Sequence, residues 1–229
     1  MCGLFGGFGK PSPSIIRGLA IANRDRGIDS LGFFDSQGRI AKRAGDPLAL
    51  LPGFAKYLDS ACGGWFIAGH TRAATRGTVC NENAHPFQFG RYTGAHNGMV
   101  RAPWNYRVDS QYLIDRLNEF AGDYRRAFRN IGGYWGLVWT DGDCLYLQAH
   151  ENELALARDG GAWYWSSDWR HLSACLSTMR DAIVLEGGAT VRFSAKSTEY
   201  DVLPRFRKRA KRAPREDFAL SWDEYSRLA

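Results

Sequence analysis

Apolar residues recur at helical spacing in several stretches. Over residues 14–23, Ile15, Ile16, Leu19 and Ala20 fall on one face, with Pro13 near the start where its missing N–H costs nothing. Helices are also expected over 48–58, 110–120 and 171–178; Leu113, Ile114 and Leu117 form the apolar stripe of the second of these. Alternating or continuous apolar runs at 31–34, 65–69, 134–140, 144–148, 163–166 and 190–193 predict strands, several separated by DG or GG turns. The run CGLFGGF at 2–8 is short, apolar and rich in glycine, as expected of a buried strand approached closely by another backbone or a ligand. Residues 24–30, RDRGIDS, read as a loop. Strands and helices are abundant without a regular βαβ repeat, and the second half is rich in strands. The pattern predicts an α+β fold with largely antiparallel sheets.

With 229 residues, 45% of them hydrophobic and 14% aromatic, the chain can bury one sizeable core. One domain over residues 1–203 is expected, followed by a basic tail at 204–229. The net charge of +6 is concentrated there: residues 205–215 hold seven basic side chains and no acid, and without those seven charges the remainder carries −1. Attraction to phosphate or to an acidic partner is thus expected of the tail. The last part of it, 217–228, has the composition of a short amphipathic helix. The five cysteines, Cys2, Cys62, Cys80, Cys144 and Cys175, are scattered and include no CxxC pair, which suggests neither a disulfide framework nor a zinc knuckle. No run reaches the roughly 18 apolar residues that span a bilayer, and no signal peptide is evident, so a cytoplasmic protein is expected.

A cysteine in second position acquires a free α-amine if Met1 is removed. That amine, with an ordinary pKa of about 7.7–8, can act as base for the thiol of its own residue. Alone, Cys2 reads by default as a small buried side chain at a strand start. Five ordered segments change that: CGLFGGFG at 2–9, RDRGIDSLGF at 24–33, GHTRAATRGTVCNENAHPF at 69–87, HNG at 96–98 and VDSQYLI at 108–114, with a weaker sixth over 132–159. Together they resemble the class II glutamine amidotransferases, N-terminal-nucleophile enzymes whose glutaminase domains supply ammonia to synthases.

The resemblance implies a four-layer αββα sandwich and a set of roles. Cys2 would be nucleophile and base. Asn97, through its amide, and Gly98, through its backbone N–H in a loop, would form the oxyanion hole. Arg72 would hold the α-carboxylate of glutamine, Asp109 its α-ammonium group, Thr75 would line the pocket, and Arg26 would support the nucleophile end. His70, His85 and His96 are 15 and 11 residues apart, which matches no compact metal motif; structural or hydrogen-bonding roles are expected, with no metal and no cofactor. Most of the eight tryptophans lie in strand-like runs, as core packing requires. Ala73 and Arg76 stand where glucosamine-phosphate synthase-like domains carry tryptophan and histidine.

The function implied is hydrolysis of the glutamine side-chain amide, with ammonia passed to a separate synthase, and the tail 205–215 contacting that partner or a nucleic acid. Two alternatives are a catalytically silent binding module of the same fold and an N-terminal-nucleophile amidohydrolase of other specificity. The paired Arg72 and Asp109 favour a free amino acid over a peptide-bound substrate.

Overall fold

The protein is described by a computed structural model over residues 1–197 and 199–206. Two antiparallel sheets face each other. The seven-stranded sheet runs β11-β9-β10-β1-β4-β2-β3, from β1 (Gly3–Phe8), β2 (Ser30–Asp35), β3 (Ile40–Ala44), β4 (Phe66–Arg72), β9 (Leu154–Asp159), β10 (Ala162–Ser166) and β11 (Arg180–Leu185). The six-stranded sheet runs β13-β12-β8-β7-β6-β5, from β5 (Phe87–Phe89), β6 (Tyr92–Val100), β7 (Gly133–Thr140), β8 (Cys144–His150), β12 (Ala189–Ser194) and β13 (Tyr200–Leu203). Helices α1 (Pro13–Ala22), α2 (Pro47–Ala61) and α5 (Trp169–Cys175) cover the outer face of the first; α3 (Asp109–Glu119) and the single turn α4 (Tyr124–Ala127) cover the second. The expected αββα layering is present.

Three cores follow from the two-residue period of the strands. Leu4, Phe8, Ala68, Val138, Leu147 and Trp165 fill the space between the sheets. Phe5, Ile67 and Tyr164, on the opposite faces of the same strands, meet Ile16 and Leu19 of α1, Leu58 of α2 and Leu172 of α5. Trp135, Leu137 and Trp139 meet Leu113 and Leu117 of α3 together with Phe128. Leu113 and Leu117 are fully buried one turn apart, each contributing roughly 1.5–3 kcal/mol and fixing which face of α3 points inward. Asp46 caps α2, accepting from Leu48 N at 2.9 Å just before Pro47.

The sequence pattern located β1, β2, β4, β7, β8, β10 and β12 and helices α1, α2, α3 and α5, with ends displaced by a few residues. It missed β3, β5, β6, β9, β11 and β13. Part of the expected 24–30 loop is a 3₁₀ turn, Asn23–Arg26, and Ser30 already belongs to β2. Asn97 and Gly98 lie within strand β6, not in a loop. Trp135, Trp139, Trp163 and Trp165 are buried as expected, whereas Trp104 and Trp169 are exposed.

The chain expected to be a tail from residue 204 stays packed through Phe206. Its N–H donates to Gly188 O at 2.8 Å, and its buried ring meets Trp135, Phe128 and His150. Residues 207–215 and the expected helix at 217–228 lie outside the described residues. No helix among the described residues is long and apolar enough to cross a membrane.

Candidate active site

Strand register brings several of the predicted residues together. In the β1–β4 pair Gly3 faces Thr71 and Leu4 faces His70, so one further step sets Cys2 beside Arg72. Leu4 and Ala68 point between the sheets, and by alternation so do Cys2 and Arg72. On the other sheet Ala95 points into the same space, and Asn97, two residues on, shares its side.

Cys2, Arg72, Thr75, Gly98, Asp109 and Ser110 line one small cleft at this end of the sandwich. The Cys2 sulfur lies 3.4 Å from Ala73 N and 3.5 Å from Ala73 O. Burial pushes the thiol up from its ordinary value; the Ala73 N–H, the terminal amine and Arg72 oppose this, while Asp109 adds to it. The net direction is upward, so the resting thiol keeps its proton and attack requires a base. Met1 is 76% exposed, and while it is attached the nitrogen of Cys2 is an amide, which cannot serve.

Arg72 is 2% exposed and donates to Thr78 O at 3.1 Å and Arg76 O at 2.5 Å. No carboxylate pairs with it among the described residues. A buried guanidinium satisfied only by carbonyls retains its full charge, which favours an anionic ligand. Asp109 opens α3 and accepts from Val100 N at 3.1 Å; it too has no cationic partner among the described residues. The cleft therefore holds a cation and an anion apart from one another.

Gly98 has φ 142°, and a Cβ there would stand 2.2 Å from Tyr134 O. Only glycine permits this backbone on the cleft wall. Asn97 is not part of that wall. Its Nδ2 is buried with no hydrogen-bond partner among the described residues, and its backbone carbonyl accepts from Asn152 Nδ2 at 3.1 Å. Arg26 also lies outside the wall: its Nε donates to Cys2 O at 3.0 Å, and its guanidinium is 3.7 Å from Asp168. Arg76 donates to Ala102 O at 3.3 Å and Pro103 O at 3.0 Å, tying two loops together at the lip.

Beneath the cleft, Ser110 Oγ bridges His85 Nε2 at 2.6 Å and His96 Nδ1 at 2.9 Å, while His70 Nε2 meets His96 O at 3.0 Å and stacks on His85. A carbonyl only accepts, so His70 carries its proton on Nε2. Burial pushes His70 down to about 3 and His85 and His96 below their ordinary value, leaving three neutral imidazoles. Among the described residues no cluster of His, Cys, Asp and Glu could hold a metal. Ser110 and Asp29 were not foreseen as site residues, although both lie in the quoted motifs. The Asp29 carboxylate accepts from Ala74 N at 2.7 Å and so fixes the loop after Arg72.

No protein-family model matches the chain. Glutamine–fructose-6-phosphate aminotransferase (isomerizing) of Streptococcus agalactiae is 37% identical over an alignment of 194 positions that covers 70% of this chain and 31% of the relative. The protein of the same name from Pyrococcus horikoshii is 29% identical over 220 residues, 82% of this chain and 35% of the relative. The chain spans about a third of the length of the curated relatives it matches. Among solved structures, the glutamine phosphoribosylpyrophosphate amidotransferase of B. subtilis superposes with a TM-score of 0.69 at 16% identity, covering 90% of this chain and 49% of that one. A glutamine aminotransferase class-II domain protein from Silicibacter pomeroyi gives 0.53 at 16% identity, covering 90% of this chain and all of that one. The structural likenesses establish the fold.

Proposed function

The chain belongs to the class II glutamine amidotransferase family, and from that premise we propose that it is a glutaminase whose nucleophile is Cys2 after loss of Met1. The supporting observation is the cleft itself, which a thiol, a buried guanidinium without a carboxylate partner among the described residues, and a separate carboxylate line together. Arg72 binds the α-carboxylate bidentately and Asp109 the α-ammonium group; a peptide-bound glutamine offers neither charge.

The freed α-amine takes the thiol proton, and the thiolate adds to the side-chain carboxamide. Negative charge on the former carbonyl oxygen is met by the Gly98 N–H and by Asn97 Nδ2, a buried donor with no partner among the described residues. The C–N bond breaks as the α-ammonium returns its proton to the departing nitrogen, giving ammonia and a γ-glutamyl thioester. The amine then deprotonates a water molecule, which attacks the thioester and releases glutamate and the thiol. Arg26, bonded to Cys2 O, holds the nucleophile's backbone in place, and Thr75 completes the pocket wall.

Ammonia is useful to a synthase only if delivered before it becomes ammonium. The acceptor is proposed to be a separate synthase docked on this protein. The basic segment 205–215 contributes to contacts with that partner or with a nucleic acid.

Intact-mass measurement before and after treatment with 6-diazo-5-oxo-norleucine, with the adduct mapped by peptide sequencing, tests the reading. Loss of the Met1 mass and a single adduct on Cys2 are expected. Retained Met1, or labelling that ignores Cys2 in the presence of candidate partners, would refute it and favour a silent binding module.

A further inference from the structure

Arg125, Arg126, Arg129, Arg205, Asp123 and Phe206 line a second cleft, on the six-stranded-sheet side where the described chain ends. Arg17, Arg24, Arg91 and Arg192 elsewhere on the surface each have a carboxylate partner. The cleft arginines have none among the described residues. Arg126 instead lies over the Phe120 ring. The one acid in the cleft, Asp123, is engaged as the cap of α4, accepting from Arg126 N at 3.1 Å. Four guanidinium groups thus share a concave surface with a single carboxylate, Asp123, which pairs with none of them among the described residues.

Two further observations define what such a surface takes. Among the described residues the only large apolar one in the lining, Phe206, is itself buried, so these residues offer no exposed aromatic or aliphatic anchor of the kind that usually centres a protein–protein contact. Six more basic residues follow within 207–215, directly after Arg205 and Phe206. Several arginine forks on one concave surface match a ligand bearing regularly repeated phosphates. Arg205 also borders a larger cleft containing Met1 and Arg26: its Nη1 stands 3.2 Å from where a side chain at Gly187 would begin, and Gly187 lines that cleft.

We propose that the arginine cleft is a nucleic-acid site that grips the phosphodiester backbone through Arg125, Arg129 and Arg205 without reading sequence. It goes beyond the glutaminase reading and stands independently of it. Arg126, held over Phe120, contributes charge at longer range.

Fluorescence anisotropy of the full chain with labelled single-stranded and duplex oligonucleotides, at rising salt, tests the proposal. Binding should fall linearly in log–log form with salt. The double variant Arg125→Ala/Arg129→Ala should lower the slope by about 2 and, at roughly 0.9 per phosphate contact, weaken duplex binding about 60-fold at ~0.1 M salt. Arg125→Lys/Arg129→Lys should retain most of the affinity, since charge dominates backbone contacts. The double alanine variant should keep parental glutaminase activity, and Cys2→Ser should keep parental binding, which separates failure of this proposal from failure of the glutaminase reading. Absence of binding would overturn it. So would equal affinity of the double alanine variant, which would place the contact in the tail alone, or displacement by polyglutamate as effective as by nucleic acid, which would indicate an acidic protein.

Discussion

Replacing Gly98 by alanine tests the oxyanion assignment most directly. A Cβ at this position would stand 2.2 Å from Tyr134 O and 2.9 Å from Trp135 Cα, both backbone atoms of the paired strand that no rotamer change can remove. At φ 142° the new side chain is strained as well, at a cost of about 1–3 kcal/mol. The peptide must therefore turn or β6 must separate from β7, and in either case the Gly98 N–H loses its aim. Loss of one oxyanion donor lowers turnover by ~10²–10³ while leaving ground-state binding of glutamine largely intact. Gly98→Ala should accordingly lose that factor in kcat, with KM for glutamine within a few-fold of the parent. Its melting temperature should fall by roughly 2–4 °C per kcal/mol of destabilisation. Leu145→Ala is the control: Leu145 is fully buried on β8, away from the cleft, and its truncation costs about 2–5 kcal/mol. It should lower the melting temperature comparably and leave kcat unchanged at a temperature where both variants are folded. Glutamate release in a coupled dehydrogenase assay supplies both constants. A Gly98→Ala protein with near-parental kcat, or equal loss of kcat in both variants, would refute the reasoning.

Arg72→Lys keeps the charge but not the fork, so loss of a charge-assisted bond of about 1.5–3 kcal/mol should raise KM for glutamine roughly 10- to 100-fold; steady-state kinetics with an unchanged KM would contradict the carboxylate role. Asp109→Asn retains an acceptor for Val100 N but removes the negative charge, and it should narrow the discrimination between glutamine and N-acetylglutamine, read as the ratio of kcat/KM values. The buried imidazoles of His70, His85 and His96 are held neutral, so the unfolded chain binds more protons than the folded one below an ordinary histidine pKa of about 6.5. Stability is fully present above that pH and should fall from about 6.5 toward about 3, where His70 titrates in the fold, by up to ~1.4 kcal/mol per pH unit per imidazole. Urea unfolding at several pH values in this window checks it, and a flat profile would show that the three rings are not buried as a neutral group.

Most residues of the first cleft were legible without coordinates, because the resemblance rests on residue identity in short segments; the roles given to them stand as proposed. Cys2 after Met1, the fork of Arg72 and the HNG and VDS triplets keep their meaning wherever the chain carries them. The buried helix faces and most strands were equally legible, since apolar spacing reports which side of an element must leave water. Strand β6 was not: YTGAHNGMV has two glycines and a buried histidine where alternation would place apolar residues, so its pairing with β7 supplies what local pattern lacks. That pairing makes Asn97 and Gly98 part of a sheet, and it sets Asn97 on the same side as Cys2, which lies 95 residues away in sequence. The neutral His85–Ser110–His96 bridge and the convergence of Arg125 and Arg129 with Arg205 are of the same kind. Each joins segments whose separate sequences carry no sign of one another, because such contacts are selected by the packing of whole layers and not by local preference.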